Sequence, residues 1–234
     1  MQNSKIIIFY SGPCVIILII IISWTWFNYK FNEIPTIIKI LIILAIIRLI
    51  SYGFILTRWG SNTKYSLIGG YRTVAQIISY EVCLIFFVLI LSYLTKTLRI
   101  EKIKLIQENI WIIWIFLPIF FRWLLLILAE TNRTPFDLAE GESEIVSGFN
   151  IEYRRGLFAL IFIREYGIII FLRFLTTVIF LGTVNIIIKT FILCIMFIIW
   201  RCSFPRIRYD KLIIISWKII LPTSICFLTF YRSL

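Results

Sequence analysis

The chain has 234 residues, of which 61% are hydrophobic and 15% are charged, and its formal net charge is +12. Because a soluble domain is only about 45–50% apolar, this composition excludes an ordinary soluble protein and indicates an integral membrane protein. The basic residues lie mostly at the ends of apolar runs and in short loops, which is typical of membrane topology rather than of nucleic-acid binding.

The apolar runs predict an all-α membrane protein with one transmembrane domain, residues 1–234, built as a bundle of about seven spanning helices. A helix needs about 20 predominantly apolar residues to cross a bilayer. The predicted spans are 8–28, 34–57, 70–95, 109–129, 157–182, 184–200 and 212–231. The boundary between the fifth and sixth spans has the weakest signal, since only Gly182 and Asn185 mark a turn there.

Charged residues within the predicted spans indicate a polar axis through the bundle. Arg48 and Glu81 lie near the middle of their spans, and Glu165 lies at a depth comparable with Glu81. Charges at such depths are costly and usually pair with one another. Arg72 is nine residues before Glu81 and therefore on the opposite face of the same helix. We expect the partner of Glu81 to come from another helix.

The loop between the fourth and fifth spans, about 130–156, is rich in acids. Six of the twelve acidic residues of the chain lie in segment 129–153. Carboxylates cannot lie in lipid without a large cost, so this segment must line water, a protein partner or a polar cavity. Glu140, Glu142 and Glu144 are close enough to titrate as a coupled group, which suits proton handling. The positive-inside rule places this loop on the inner side of the membrane.

The residues that are absent narrow the chemistry further. There is no histidine, and the five cysteines show no CxxC spacing. The sequence therefore gives no support for a disulfide framework, a zinc site, a haem or an iron–sulfur cluster. Proton transfer would depend on carboxylates, tyrosine and lysine.

Three segments resemble one family closely. Segment 129–153, AETNRTPFDLAEGESEIVSGFNIEY, looks like the signature loop of subunit 1 of NADH:ubiquinone oxidoreductase, respiratory complex I. Segments 59–82 and 201–222 agree with that family in order and spacing, and the resemblance runs from about Ser11 to the end. Long motifs of unusual polar residues are far more specific than a short motif.

The resemblance implies a membrane-arm subunit at the junction with the peripheral arm. Such a subunit helps form the ubiquinone-binding tunnel and begins the proton path that couples quinone reduction to proton pumping. Ubiquinone is the substrate, and no cofactor is bound by this chain alone, because NADH, FMN and the iron–sulfur clusters belong to partner subunits. The implied partners are other complex I subunits, including those of the peripheral arm at the quinone site, and lipid, with no nucleic acid. The implied location is the mitochondrial inner membrane, with the acidic loop facing the matrix.

The resemblance and the placement of the charges together select the candidate site residues. The predicted proton-path residues are Glu81, Glu130, Asp137, Glu140, Glu142, Glu144 and Glu165. The predicted quinone-binding residues are Arg133, Phe136 and Phe149, and Arg133 is also expected to hold carboxylates of the loop in charge-assisted pairs.

Each candidate has a structural alternative. Arg133 could serve membrane topology alone, and Asp137, which follows Pro135, could serve a helix N-terminus. The cluster Glu140, Glu142 and Glu144 could form a solvated face. Glu81 and Glu165 could be members of structural ion pairs, and both phenylalanines could be packing residues.

The sequence departs from the family pattern in two places. The family normally begins with an additional transmembrane helix and a basic, Gly-rich amphipathic segment, and we expect a separate chain or another subunit to supply them. Arg154 and Arg155 stand where small residues are usual, and Leu157 stands where proline is typical. Two other function classes stay open, a proton- or cation-coupled transporter and a structural membrane anchor.

Overall fold

The computed structural model describes residues 3–27, 39–61, 64–96, 98–109, 111–137, 153, 155–182 and 184–233. All regular secondary structure in these residues is helical. The α-helices are α1 (Asn3–Phe27), α2 (Lys39–Ser61), α3 (Lys64–Thr95), α4 (Ile100–Asn109), α5 (Ile112–Ile115), α6 (Leu117–Glu130), α7 (Arg155–Thr176), α8 (Ile186–Ser203), α9 (Tyr209–Ile214) and α10 (Leu221–Ser233). Two π-helical segments, Thr177–Leu181 and Ile215–Ile220, extend α7 and join α9 to α10.

Five helical stretches among the described residues are long and apolar enough to cross a membrane. They are Ile7–Trp26, Ile40–Ser61, Ser66–Thr95, Ile186–Ser203 and Tyr209–Arg232. These match the first, second, third, sixth and seventh predicted spans and confirm an all-α membrane protein.

The other two predicted spans are also helical, but each has a feature that distinguishes it from a plain apolar helix. The fourth is broken at Phe116 between α5 and α6, where Pro118 occupies the first turn of α6 and suits a helix start. The fifth is α7, which carries the charges of Arg164, Glu165 and Arg173. The turn predicted after it is confirmed, because Gly182 has φ 73° and Asn185 has φ 53°.

Helix α3 lies at the centre of the described bundle. It packs against α2, α6 and the arm formed by α9, the second π-helical segment and α10, while α1 packs against α2 and α7. The core contains side chains with no exposed surface, among them Phe87 on α3, Trp123 and Ile127 on α6, and Phe180 after α7. This arrangement places the polar residues of α3 among protein side chains rather than lipid.

Glycines bring α1 and α2 into close contact. A Cβ atom on Gly12 would lie 2.9 Å from the Cα atom of Thr57, and one on Gly60 would lie 2.8 Å from the Cα atom of Phe9. Small residues at helix interfaces allow such close backbone approach in membranes, where packing contributes strongly to association. The α1–α2 pair forms the side of the bundle next to α7.

Candidate functional site

A tight turn after α6, residues 131–137, organises the candidate site. The Thr131 N–H donates to the Ile127 carbonyl at 3.1 Å as α6 ends, and Asn132 then adopts a left-handed conformation with φ 50°. The Phe136 N–H donates to the Arg133 carbonyl at 2.8 Å. These bonds fold the start of the signature loop back on itself, so that its first residues stay next to the helix bundle.

Two other parts of the chain hold the 131–137 turn in place. The Gln76 amide nitrogen donates to the carbonyls of Ala129, at 2.9 Å, and Phe136, at 3.1 Å. On another side, the Ile207 N–H donates to the Pro135 carbonyl at 3.0 Å. The Thr134 hydroxyl donates to the Arg201 carbonyl at 3.2 Å. The turn is thus attached to α3 and to the end and following loop of α8.

Arg133 projects from this turn and forms an ion pair with Glu165 on α7. Arg133 is 4% exposed and Glu165 is 6% exposed, so the pair is buried. The Arg133 guanidinium also lies 5.5 Å from the ring centroid of Phe162 and 5.8 Å from that of Tyr166. A buried guanidinium with a carboxylate partner and two aromatic faces is held firmly. Its expected pairing with the loop acids stays a prediction, since those acids lie outside the described residues.

Arg48 on α2 and Glu81 on α3 form a second ion pair, with 3.6 Å between Arg48 Nε and Glu81 Oε2. This confirms that the partner of Glu81 comes from another helix. The Glu81 side chain is 12% exposed and the Arg48 side chain 40%. The arginine therefore reaches the acid from the more open side of the bundle.

Glu130 and Arg164 are two further buried groups within electrostatic range of these pairs. Glu130, the last residue of α6, is 3% exposed, and its Oε2 atom accepts no hydrogen bond from any residue that the structure describes. The charges of Glu81, Arg164 and Arg48 act on Glu130. Those of Glu165, Glu130 and Arg133 act on Arg164. Arg164 is 1% exposed, and its guanidinium lies 4.1 Å from the ring centroid of Phe54.

These side chains lie within electrostatic range of one another, and the group is here named the carboxylate network. Its members are Glu81, Glu130, Glu165, Arg48, Arg133 and Arg164. Each of the three acids therefore has a guanidinium in its surroundings, which lowers the cost of placing acids among apolar helices. Within such a set, the protonation of one carboxylate changes the interactions of the others.

The structure describes only some of the remaining predicted site residues. Phe136 is 4% exposed and its ring centroid lies 6.3 Å from that of Tyr80, so its ring packs near α3. Asp137 is partly buried at the end of the turn. Glu140, Glu142, Glu144 and Phe149 lie outside the described residues. Their roles stay predictions.

Tyr153 anchors the far end of the acidic segment. Its hydroxyl donates to the Thr57 carbonyl on α2 at 2.7 Å, and its ring stacks on Phe9 of α1 with centroids 4.3 Å apart. Burial raises the pKa of the Tyr153 phenol above its ordinary value, so this group remains a protonated donor. The segment between Asp137 and Tyr153 therefore begins and ends against the bundle.

Gln76 is the residue of this site that the sequence did not single out. The available signal was a side-chain amide within a predicted spanning helix, five residues before Glu81. The two carbonyls that it binds are far from it in sequence and could not be inferred from its neighbours. Among the described residues, no cluster of three or more His, Cys, Asp or Glu could hold a metal ion. The chemistry offered here is proton exchange and charge pairing.

Comparison with known proteins relates this site to a family. The model of the NADH dehydrogenase family matches residues 1–232. NADH-ubiquinone oxidoreductase chain 1 of Rhipicephalus sanguineus is 46% identical over 218 residues, covering 93% of this chain and 70% of the relative. The protein of the same name from Trichosurus vulpecula is 39% identical over 243 residues, covering 99% of this chain and 76% of the relative. Because the similarity extends over nearly the whole sequence, the chain belongs to the NADH dehydrogenase family, together with these chain 1 proteins.

Proposed function

We propose that the 131–137 turn and the carboxylate network connect the ubiquinone-binding tunnel to the start of the proton path in NADH:ubiquinone oxidoreductase. The chain is a membrane-arm subunit of that enzyme. The observation that carries the proposal is the grouping of two buried or half-buried ion pairs, Arg133 with Glu165 and Arg48 with Glu81, around the turn and α3. Glu130 and Arg164 are buried within electrostatic range of these pairs. The family assignment favours this function over a transporter or a membrane anchor.

The chemistry of quinone reduction explains why such a set is useful. Reducing ubiquinone to ubiquinol takes up two electrons and two protons, so negative charge and proton demand arise together at the tunnel. When a buried carboxylate takes up a proton, its arginine partner loses the negative charge that neutralised it. An unpaired charge is costly at low dielectric, so protonation changes the energy of both groups. A change at Arg133 and Glu165 would therefore shift the proton affinity of Glu130 and Glu81.

The proposal also assigns roles to the other subunits of the enzyme. NADH, FMN and the iron–sulfur clusters are held by other subunits, and those of the peripheral arm complete the quinone site beside Arg133, Phe136 and Phe149. We place the chain in the mitochondrial inner membrane with the acidic loop towards the matrix. Support comes from the bias of basic residues towards the side that holds this loop.

The proposal is tested by replacing single carboxylates with their amides. Glu81→Gln and Glu130→Gln keep size and hydrogen bonding but remove the titratable group. We expect normal assembly, with NADH:ubiquinone reductase activity or its coupled proton translocation lowered about tenfold or more, since a positioned proton carrier contributes about 10²–10⁴-fold. Both rates are measured in membranes and divided by the amount of assembled complex.

The matched control is Glu108→Gln on α4, where the glutamate is exposed. It makes the same chemical change outside the network, and both rates should stay at the unsubstituted level. If Glu81→Gln and Glu130→Gln also keep both rates, the proton-path role is refuted and only a structural role is left for these acids.

A further inference from the structure

We infer that Gln76 is a positioning residue for the carboxylate network: its side-chain amide fixes the 131–137 turn against the helix that carries Glu81. The inference rests on the proposed function, because it assigns Gln76 a part in holding the network in its working geometry. The described hydrogen bonds of Gln76 go to two backbone carbonyls and not to a network carboxylate. It acts through the turn.

The two hydrogen bonds of Gln76 reach both ends of the turn. Its amide nitrogen carries two hydrogens, and it donates to one carbonyl before the turn, Ala129, and one near its end, Phe136. Both partners are acceptors, so the orientation of the amide is determined by the bonds themselves. Gln76 has no exposed surface, so water does not compete for these bonds. A single side chain therefore closes the turn and ties it to α3.

Two members of the carboxylate network lie next to the carbonyls that Gln76 binds. Glu130 directly follows Ala129, and Arg133 lies between the two carbonyls. Movement of the turn away from α3 would therefore move Glu130 and shift Arg133 relative to Glu165. On α3 itself, Tyr80 contacts Phe136 and lies next to Glu81. Gln76 thus sets the distance between the turn and the helix that carries Glu81.

The first test is Gln76→Leu, which keeps a side chain of similar size and removes the donor. We expect the kcat for ubiquinone reduction per assembled complex to fall about tenfold, together with the number of protons moved per electron. The matched control is Thr73→Val. Thr73 is equally buried on α3, but among the described residues its hydroxyl donates to the Gly70 carbonyl of its own helix, at 2.9 Å, and to no other helix. This control should keep normal kcat and proton yield.

The second test is Gln76→Glu, which has a signature that a purely structural role would not produce. An ionised carboxylate at this position would face two carbonyl oxygens and repel them, whereas a protonated carboxyl can donate to one. Activity relative to the unsubstituted enzyme should therefore rise as the pH falls. Both enzymes contain the titratable groups that are nearest in sequence on α3 and around the turn, namely Tyr80, Glu130 and Asp137. A change in the ratio of the two pH profiles therefore reports the new carboxyl at position 76.

The inference is overturned if the kcat of Gln76→Leu equals that of Thr73→Val, or if the ratio for Gln76→Glu does not change with pH. Failure of both Gln76 variants to assemble would also overturn it, because the residue would then be structural. Glu81→Gln and Glu130→Gln measured in parallel separate the two proposals. If they lose activity while the Gln76 variants do not, only the role of Gln76 is wrong. If they keep full activity, the proposed function itself is wrong.

Discussion

Helices α3 and α8 are both apolar enough to cross a membrane, but they face different surroundings. Of the apolar part of α3, 56% is buried within this chain, against 6% for α8. Helix α3 carries Gln76, Tyr80 and Glu81, while the outer surface of α8 presents residues such as Ile187 and Ile188. This difference shows that polar groups lie where other helices can pair with their charges and hydrogen bonds, since lipid offers no such partners. Hydropathy alone does not distinguish the two helices.

The largest expected effect in the interior comes from breaking the ion pair of Arg133. Arg133→Ala leaves Glu165 as a buried charge without this partner, and removing one member of a buried pair costs about 3–5 kcal/mol. We expect little assembled complex, measured by native gel electrophoresis with in-gel NADH staining. The control is Arg208→Ala, whose ion pair with Asp210 is mostly exposed at 76% and 63%. Exposed pairs contribute little, so equal assembly of the two variants would contradict the importance of the buried pair.

A smaller effect is expected where two helices approach each other closely. Gly60→Ala on α2 would place a Cβ atom 2.8 Å from the backbone of Phe9 on α1, so the helices must separate. Overpacking of this kind costs about 1–3 kcal/mol, and thermal inactivation of NADH:ubiquinone reductase activity should occur at lower temperature.

The matched control for that close contact is Gly156→Ala in the first turn of α7, where a Cβ atom would meet nothing within 4 Å. Alanine is the better helix former, so this variant should be neutral or slightly stabilised. A loss of thermal stability as large as that of Gly60→Ala would show that the α1–α2 contact is not the cause.

The smallest effects are expected on α8, where one inward residue can be compared with its neighbour. Phe197 is 3% exposed, and its ring centroid lies 4.2 Å from the Arg173 guanidinium. Phe197→Leu removes a cation–π contact of about 0.5–2 kcal/mol. Ile198 is 58% exposed, and Ile198→Leu should stay within about 0.5 kcal/mol. The check is the thermal stability of the assembled complex, and equal losses would show that the outer surface of α8 is packed against another subunit.

Much of the fold could be predicted from the sequence because membrane insertion depends on local properties. A run of apolar residues predicts a spanning helix wherever it lies, and the turn at Gly182 and Asn185 was readable from the residues themselves. The acidic segment could be recognised in the same way, since carboxylates cannot enter lipid at low cost. The sequence also predicted that any partner of Glu81 would come from another helix.

Only the tertiary structure decided which partner each charge takes. The pairing of Arg48 with Glu81 depends on the rotation and depth of two helices, and that of Arg133 with Glu165 depends on how the 131–137 turn docks on α7. Local hydropathy encodes neither. The bonds of Gln76 depend on a turn more than 50 residues away in sequence. The need for partners is a property of single residues and can be predicted from composition, whereas the choice among partners is a property of packing.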